Sequence, residues 1–367
     1  MWKLYDDEKN YCIQINYNIN FDIRLIPVDI NVSAGMSKNY PILFTEFLEK
    51  FWTYEDSSYV ADLKLHNHSI GKSHCLKRLG CVKNYWKTAF MNKRLDEITR
   101  HDLKEFSLAL RGKSLLHGNT KKVLSLSTIN KIMTTGITAL KWAFFEGMIQ
   151  SNPTDGYVPF SENTKDRGVL TPLEAEKVFA AQWKSKHAYA ANLLSCTTGL
   201  RIGEVLAIRK SDVDKTVLNV NHSWNEHDGL KYPKNGVARK VPLLPKVRAM
   251  LLDLLQENPH KTDDPFVFYG NNPHKPLTSK IYLNELKTVC NVCKIDAKVR
   301  GIVFHSHRHY YAARMTDKMT AEQVSRITGH KSMTIFSKYA DHVIDENLQA
   351  AGSVAADVFA NLLNVRQ

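Results

Sequence analysis

Near the start of the chain apolar residues recur with a period of two. Ile13, Ile15, Tyr17, Ile19, Phe21, Ile23 and Leu25 alternate with polar positions, as they do on a strand with one buried face. The pattern predicts short β-strands within an N-terminal extension, residues 1–37. From about residue 39 the period lengthens to that of a helix. Ile42, Phe44, Phe47, Leu48 and Phe51 share one face over 41–54. Leu76, Leu79, Val82 and Trp86 do so over 74–89, and Ile129, Ile132, Met133, Ile137, Leu140, Ala143 and Phe144 over 128–146. Thr99 stands where the N-cap of a helix over 100–111 belongs, and Ser127 is read as the cap of the helix that follows it.

This helical block, 38–157, ends at Ser151, Asn152 and Pro153, since a residue before proline avoids the α region. Residues 158–169 are polar and have no period, which predicts a linker. Thr171, Pro172 and Glu174 form a capping box with proline at the first helical position, opening a second domain over 170–342. There the pattern predicts a helix through 188–195, broken at Gly199, and a strand over 217–224. Asn235-Gly236 is a hairpin signal with Lys234 at its mouth. Helices follow over 245–256 and 279–292. Ile344, Leu348, Val354, Val358, Phe359 and Leu362 recur at helix spacing in a tail, 343–367. The fold class is therefore mainly α: a helical domain, then a mixed α/β domain with a small antiparallel sheet.

Charge changes this picture. The 367 residues carry a net charge of +13, which implies a polyanionic partner. The excess is concentrated: 14 Lys/Arg against 4 Asp/Glu between Lys64 and Lys122, interleaved with Tyr85, Trp86 and Phe90, which favours contact with nucleic-acid phosphates. Residues 1–37 hold five acids against three bases and lack that signature. No run of ~18 apolar residues is present and the first residues are not a signal peptide, which argues against a membrane. Six cysteines scattered over this length make no disulfide framework and suggest a reducing cytoplasm. Cys290 and Cys293 are a lone pair, read as buried thiols rather than as half of a zinc site.

Residues 304–342 concentrate the chemistry. His305 and Arg308 lie three apart, His330 follows a glycine, and Tyr339 comes nine residues later. On a phosphodiester, Arg308 can fork two N–H bonds onto non-bridging oxygens. His305 and His330 can donate hydrogen bonds or move protons. Tyr339 can attack phosphorus and form a covalent phosphotyrosine. The bland alternatives are an aromatic anchor at Tyr339 and a metal site of His305, His307 and His309. On a helix His305 and His309 share a face that His307 leaves, so the three are poorly placed for one ion. Upstream, Arg201 sits among apolar residues, either paired with Glu204 one turn on or reserved for an anion.

In this order, Thr198-Gly199-Leu200-Arg201 with Glu204, Lys234 in a hairpin, His305 and Arg308, Gly329-His330, and Tyr339 resemble the tyrosine recombinases, the phage integrase family. The resemblance implies that Arg201 and Arg308 clamp the scissile phosphate and that Lys234 protonates the leaving 5′ oxygen. It also implies that His305 moves a proton with the tyrosine, His330 hydrogen-bonds the phosphate, Tyr339 is the nucleophile and Glu204 supports the site. Residues 38–157 would be the core DNA-binding domain. The implied activity is site-specific recombination of double-stranded DNA by a homo-tetramer, integrating or excising a mobile element on the bacterial nucleoid. Accessory excision or bending factors would assist, with no cofactor and no metal. The alternatives are type IB topoisomerase-like nicking and closing, and a non-catalytic DNA-binding regulator. Lys231 and Lys240 compete with Lys234, and His307 and His309 with His305.

Overall fold

The computed structural model describes residues 2–6, 11–15, 24–27, 42–117, 120–162, 167–233 and 236–329. In chain order these hold β1 (Trp2–Asp6), β2 (Tyr11–Ile15), β3 (Arg24–Pro27), α1 (Phe44–Trp52), α2 (Ser58–Leu65) and α3 (Lys72–Cys81). A π-helical turn, Val82–Trp86, runs into the short α4 (Lys87–Ala89), followed by α5 (Arg100–Gly112), β4 (Ser114–His117), β5 (Thr120–Val123) and α6 (Leu126–Phe145). Next come α7 (Pro172–Ala180), α8 (Lys186–Thr198), α9 (Ile202–Leu206), β6 (Val217–Val220), β7 (Ser223–Asn225), β8 (Gly229–Lys231) and β9 (Arg239–Pro242). The last are α10 (Pro245–Glu257), α11 (Ser279–Val292), α12 (Ser306–Thr316) and α13 (Ala321–Thr328). The tail helix expected over 343–367 lies outside the described residues.

The chain divides into two compact units, Met1–Phe51 with Leu79–Pro159, and Trp52–Arg78 with Phe160–Gln367. The first opens with the antiparallel sheet β1-β2-β3. Its helical part is organised on Trp86, which is fully buried. The indole lies 4.6 Å from the ring of Phe106 and 5.3 Å from Phe90, and donates to the Ile132 carbonyl at 2.9 Å. A Cβ at Gly136 of α6 would stand 2.3 Å from that indole, so the absence of a side chain there lets α6 approach. Burying Trp86, Phe44, Leu48, Ile129 and Leu140 contributes roughly 1.5–3 kcal/mol apiece.

Local signals set most helix ends. Thr99 and Asp102 form a reciprocal capping box on α5, and Thr171 with Glu174 does the same for α7. The cap of α6 is Ser125, which accepts from the Thr128 N–H; the sequence reading had placed it at Ser127, whose own position already lies inside the helix. Helix α2 was not expected, because Val60 alone among its residues is buried and no periodic apolar face announces it.

In the second unit the central element is α8, against which α10, α11 and α12 pack. Ala188, Ala190, Ala191 and Ser195 are all buried on it, and these small side chains let three neighbours come close. The antiparallel strands are arranged differently from expectation. The strand read over 217–224 is two strands: β6 pairs with β9, and β7 pairs with β8. The strands flanking Asn235-Gly236 are thus partners of other strands, not of each other. Gly236 is still in a turn, at φ +73° with its N–H donating to the Pro233 carbonyl. Asp228, between β7 and β8, accepts from the Ser73 N–H at 2.9 Å and from Lys231 at 2.7 Å. Cys290 is buried, and the Cys293 thiol reaches the Lys177 carbonyl.

Candidate active site

Gly199 ends α8 at φ +69°, in the left-handed region that favours glycine. Any Cβ there would press on the ring of Tyr311, 2.7 Å away. The turn delivers Arg201 to the N-cap of α9, where the Arg201 N–H donates to Glu204 Oε2 at 2.9 Å. The Arg201 guanidinium donates through Nη1 to Glu204 Oε1 at 3.0 Å and through Nη2 to the Gly329 carbonyl at 3.1 Å. Glu204 is 2% exposed. Burial would raise its pKa, but the hydrogen bonds and charge of Arg239, followed by the N–H and charge of Arg201, hold it below the usual carboxylate value.

Arg308 enters from the first turn of α12 and is fully buried. Its Nη1 donates to the Gly199 carbonyl at 2.9 Å and to the Thr328 carbonyl at 2.6 Å. The expected clamp residues Arg201 and Arg308 therefore converge on consecutive carbonyls at the end of α13. That end carries the negative pole of a helix, and Gly329 closes it at φ +71°. Helix α13 was not foreseen, although Thr320 and Gln323 form its capping box.

The three alternating histidines separate. His305 is the N-cap of α12, and its ring lies 4.9 Å from that of His309. Burial, then the positive charge of His309, Arg308, Arg167 and Arg201, push its pKa down to about 3. His305 is therefore neutral near pH 7, and an anionic phosphate placed beside it would offset those positive charges and raise its affinity for a proton. His307 points into the core, where Nε2 is paired with Asn192 Oδ1 at 2.8 Å. Asn192 in turn donates to the Ala188 and Tyr282 carbonyls. Burial pushes His307 down to about 4. It locks α12 to α8 and is no rival for the proton role. Lys231 is engaged with Asp228, and Lys240 is exposed on β9. Lys234, His330 and Tyr339 lie outside the described residues.

Sequence reasoning missed Arg239. On β9 it shares the inward side with buried Val241 while Lys240 and Pro242 face out, a period-two signal that could have separated it from its neighbours. Its Nη1 and Nη2 donate to Glu204 Oε1 and Oε2 at 3.0 and 2.8 Å, and its Nε to the Ile327 carbonyl at 2.8 Å. Arg201 and Arg239 thus hold one carboxylate, and together with Arg308 they hold three successive carbonyls, 327 to 329. The excess of positive charge in a largely buried setting suits an anionic group such as a phosphodiester.

The second unit is thus mainly helical with small antiparallel sheets, and it brings paired arginines to one site. Residues 169–345 match the phage integrase family. A curated relative, the tyrosine recombinase XerC-like protein of Caldanaerobacter subterraneus subsp. tengcongensis, is 22% identical over 271 residues, 66% of this chain and 68% of that protein. The prophage integrase IntR of Escherichia coli is 24% identical over 271 residues, 64% of this chain and 65% of IntR. Among solved structures, Tn1549 transposon integrase in complex with transposon right end DNA superposes with a TM-score of 0.63 at 20% identity, covering 86% of this chain and all of that one. A lambda integrase tetramer bound to a Holliday junction gives 0.56 at 16% identity, covering 91% and 93%. Residues 169–345 thus form a domain of the phage integrase family, and the chain is a tyrosine-type site-specific DNA recombinase.

Proposed function

We propose that the protein cuts and rejoins double-stranded DNA through a covalent 3′-phosphotyrosine at Tyr339, integrating or excising a mobile element. The observation that carries this reading is the convergence of Arg201 and Arg308 on the Gly329 and Thr328 carbonyls, directly before His330. In this reading the two arginines hold the non-bridging oxygens of the scissile phosphate, with His330 as a further donor. The Tyr339 oxygen attacks phosphorus, and its proton passes to neutral His305. The bond from phosphorus to the 5′ oxygen breaks, and Lys234 supplies the proton that oxygen takes up. The phosphotyrosine keeps the energy of the phosphodiester, so a 5′-hydroxyl from a partner strand reverses the step without a nucleotide cofactor.

The chain would act as a homo-tetramer that synapses two sites and exchanges strands in pairs, with residues 38–157 as the core DNA-binding domain. No helix among the described residues is long and apolar enough to cross a membrane; we place the work on the bacterial nucleoid. The test uses a nicked suicide substrate that traps protein on its 3′ phosphate. Wild type should form the adduct and Tyr339→Phe should bind the DNA without forming it; an adduct on the Phe variant would remove Tyr339 from the role. A two-site assay that yields nicking and closing but no exchanged products would replace recombination with topoisomerase-like activity.

A further inference from the structure

We infer that Arg239 is a positioning residue of the phosphate site: it occupies both oxygens of Glu204, limits the Arg201 guanidinium to one nitrogen on that carboxylate and so leaves its remaining N–H groups for DNA. The inference rests on the recombinase reading above. Glu204 is buried and has two acceptor oxygens to share. Arg239 meets them with its two terminal nitrogens, the end-on bidentate arrangement, at 3.0 and 2.8 Å. Arg201 meets Oε1 through Nη1 alone, at 3.0 Å. The side chains differ accordingly in exposure, 11% for Arg239 and 24% for Arg201. Arg239 is the inner, committed cation and Arg201 the outer one that faces substrate.

The competition has a direction. A buried carboxylate that loses one bidentate partner draws the remaining guanidinium toward the same geometry, because Oε2 would keep only the Arg201 backbone N–H and no charged partner. Without Arg239, Glu204 would close on Arg201 with both oxygens and turn its fork away from the phosphate. The local charge would fall as well. Arg201, Arg239 and Arg308 against Glu204 leave two net positive charges, which matches the two negative charges that build up at a pentavalent phosphorane. Loss of Arg239 leaves one. Through Nε, Arg239 also holds the Ile327 carbonyl, so it fixes the turn that receives Arg201 and Arg308.

The experiment measures single-turnover adduct formation on the nicked suicide substrate by wild type, R239Q, R239K, E204Q and the double variant E204Q with R239Q. R239Q should slow adduct formation by about tenfold to a hundredfold, the range of coupled neighbours, with site affinity changed far less. R239K keeps the charge but cannot fork, and should fall between. A methylphosphonate at the scissile position lacks one anionic oxygen, asks less of Arg201 and should narrow the gap. In the double variant, removing the carboxylate's charge should erase most of the further effect of R239Q. The inference is overturned if R239Q cleaves like wild type, if it slows both substrates equally, or if its effect simply adds to that of E204Q. Should R239Q melt below the assay temperature, R239K carries the same substrate comparison. Absence of any wild-type adduct would instead sink the recombinase reading on which the inference stands.

Discussion

Both units have apolar cores, but they differ in the polar groups they bury most deeply. In the first, Trp86 sits among Phe44, Phe90 and Phe106, and its single polar atom is satisfied by the Ile132 carbonyl. In the second, one of the largest fully buried side chains is Arg308, accompanied by Glu204 and, almost as deep, Arg239. An apolar core gains from area removed from water and tolerates small changes of shape. An ionic one is held only while every member is paired, and an apolar substitute of equal volume often gives equal or greater stability. The second unit therefore keeps its arginines for what they bind.

This contrast can be broken at several points. The largest effect is expected at Arg308. Arg308→Met should cost adduct formation more than about a thousandfold, as removal of a phosphate clamp does, while the protein still melts cooperatively. If it cleaved normally, the buried charge would have no catalytic use. Next is Gly136→Val in the first unit. The added carbons would strike the Trp86 indole and destabilise by about 1–3 kcal/mol or more, read by calorimetry, with adduct formation per folded molecule retained. Acid should then separate the units. A histidine depressed in the folded state binds its proton preferentially when unfolded, so stability is lost as pH falls below the unfolded value of about 6.5. With His307 depressed to about 4 by burial, the second unit should lose ~1.4 kcal/mol per pH unit from His307 alone between about pH 6 and 4. His307→Gln, which can still pair with Asn192, should flatten that slope in melting curves taken at successive pH values. The smallest effect is at a cap: Thr99→Ala should remove about 1 kcal/mol from the first unit and leave cleavage unchanged.

The same contrast explains how much could be read beforehand. Trp86 and its helix declared themselves by spacing, Thr99 as a cap by its residue type and the box at Thr171 by residues three apart, because all are local patterns. Arg201, Glu204, His305 and Arg308 were visible as a motif, and the structure brings them together. Arg239 was not visible, since its partners are 35 and 88 positions away and an arginine in a strand carries no sign of what it pairs with. His307 shows the complementary limit. Spacing set it on a different face from His305, but only the packing of α12 on α8 says which face is interior. The strand pairing around Asn235-Gly236 went astray for a related reason: a turn signal identifies where the chain bends, not which strands it joins.

The turn at 327–329 has a consequence for folding. Its carbonyls receive Arg239, Arg308 and Arg201 across 88, 20 and 128 positions of sequence, from a strand, a helix and a helix cap. Contacts of such separation form late, after the long loops between them have closed. No fragment or half-folded form of the second unit can hold all three guanidiniums on one turn. A chain still emerging from synthesis, or one partly unfolded by stress, therefore lacks the assembled cluster of arginines, which arrives only with the finished fold.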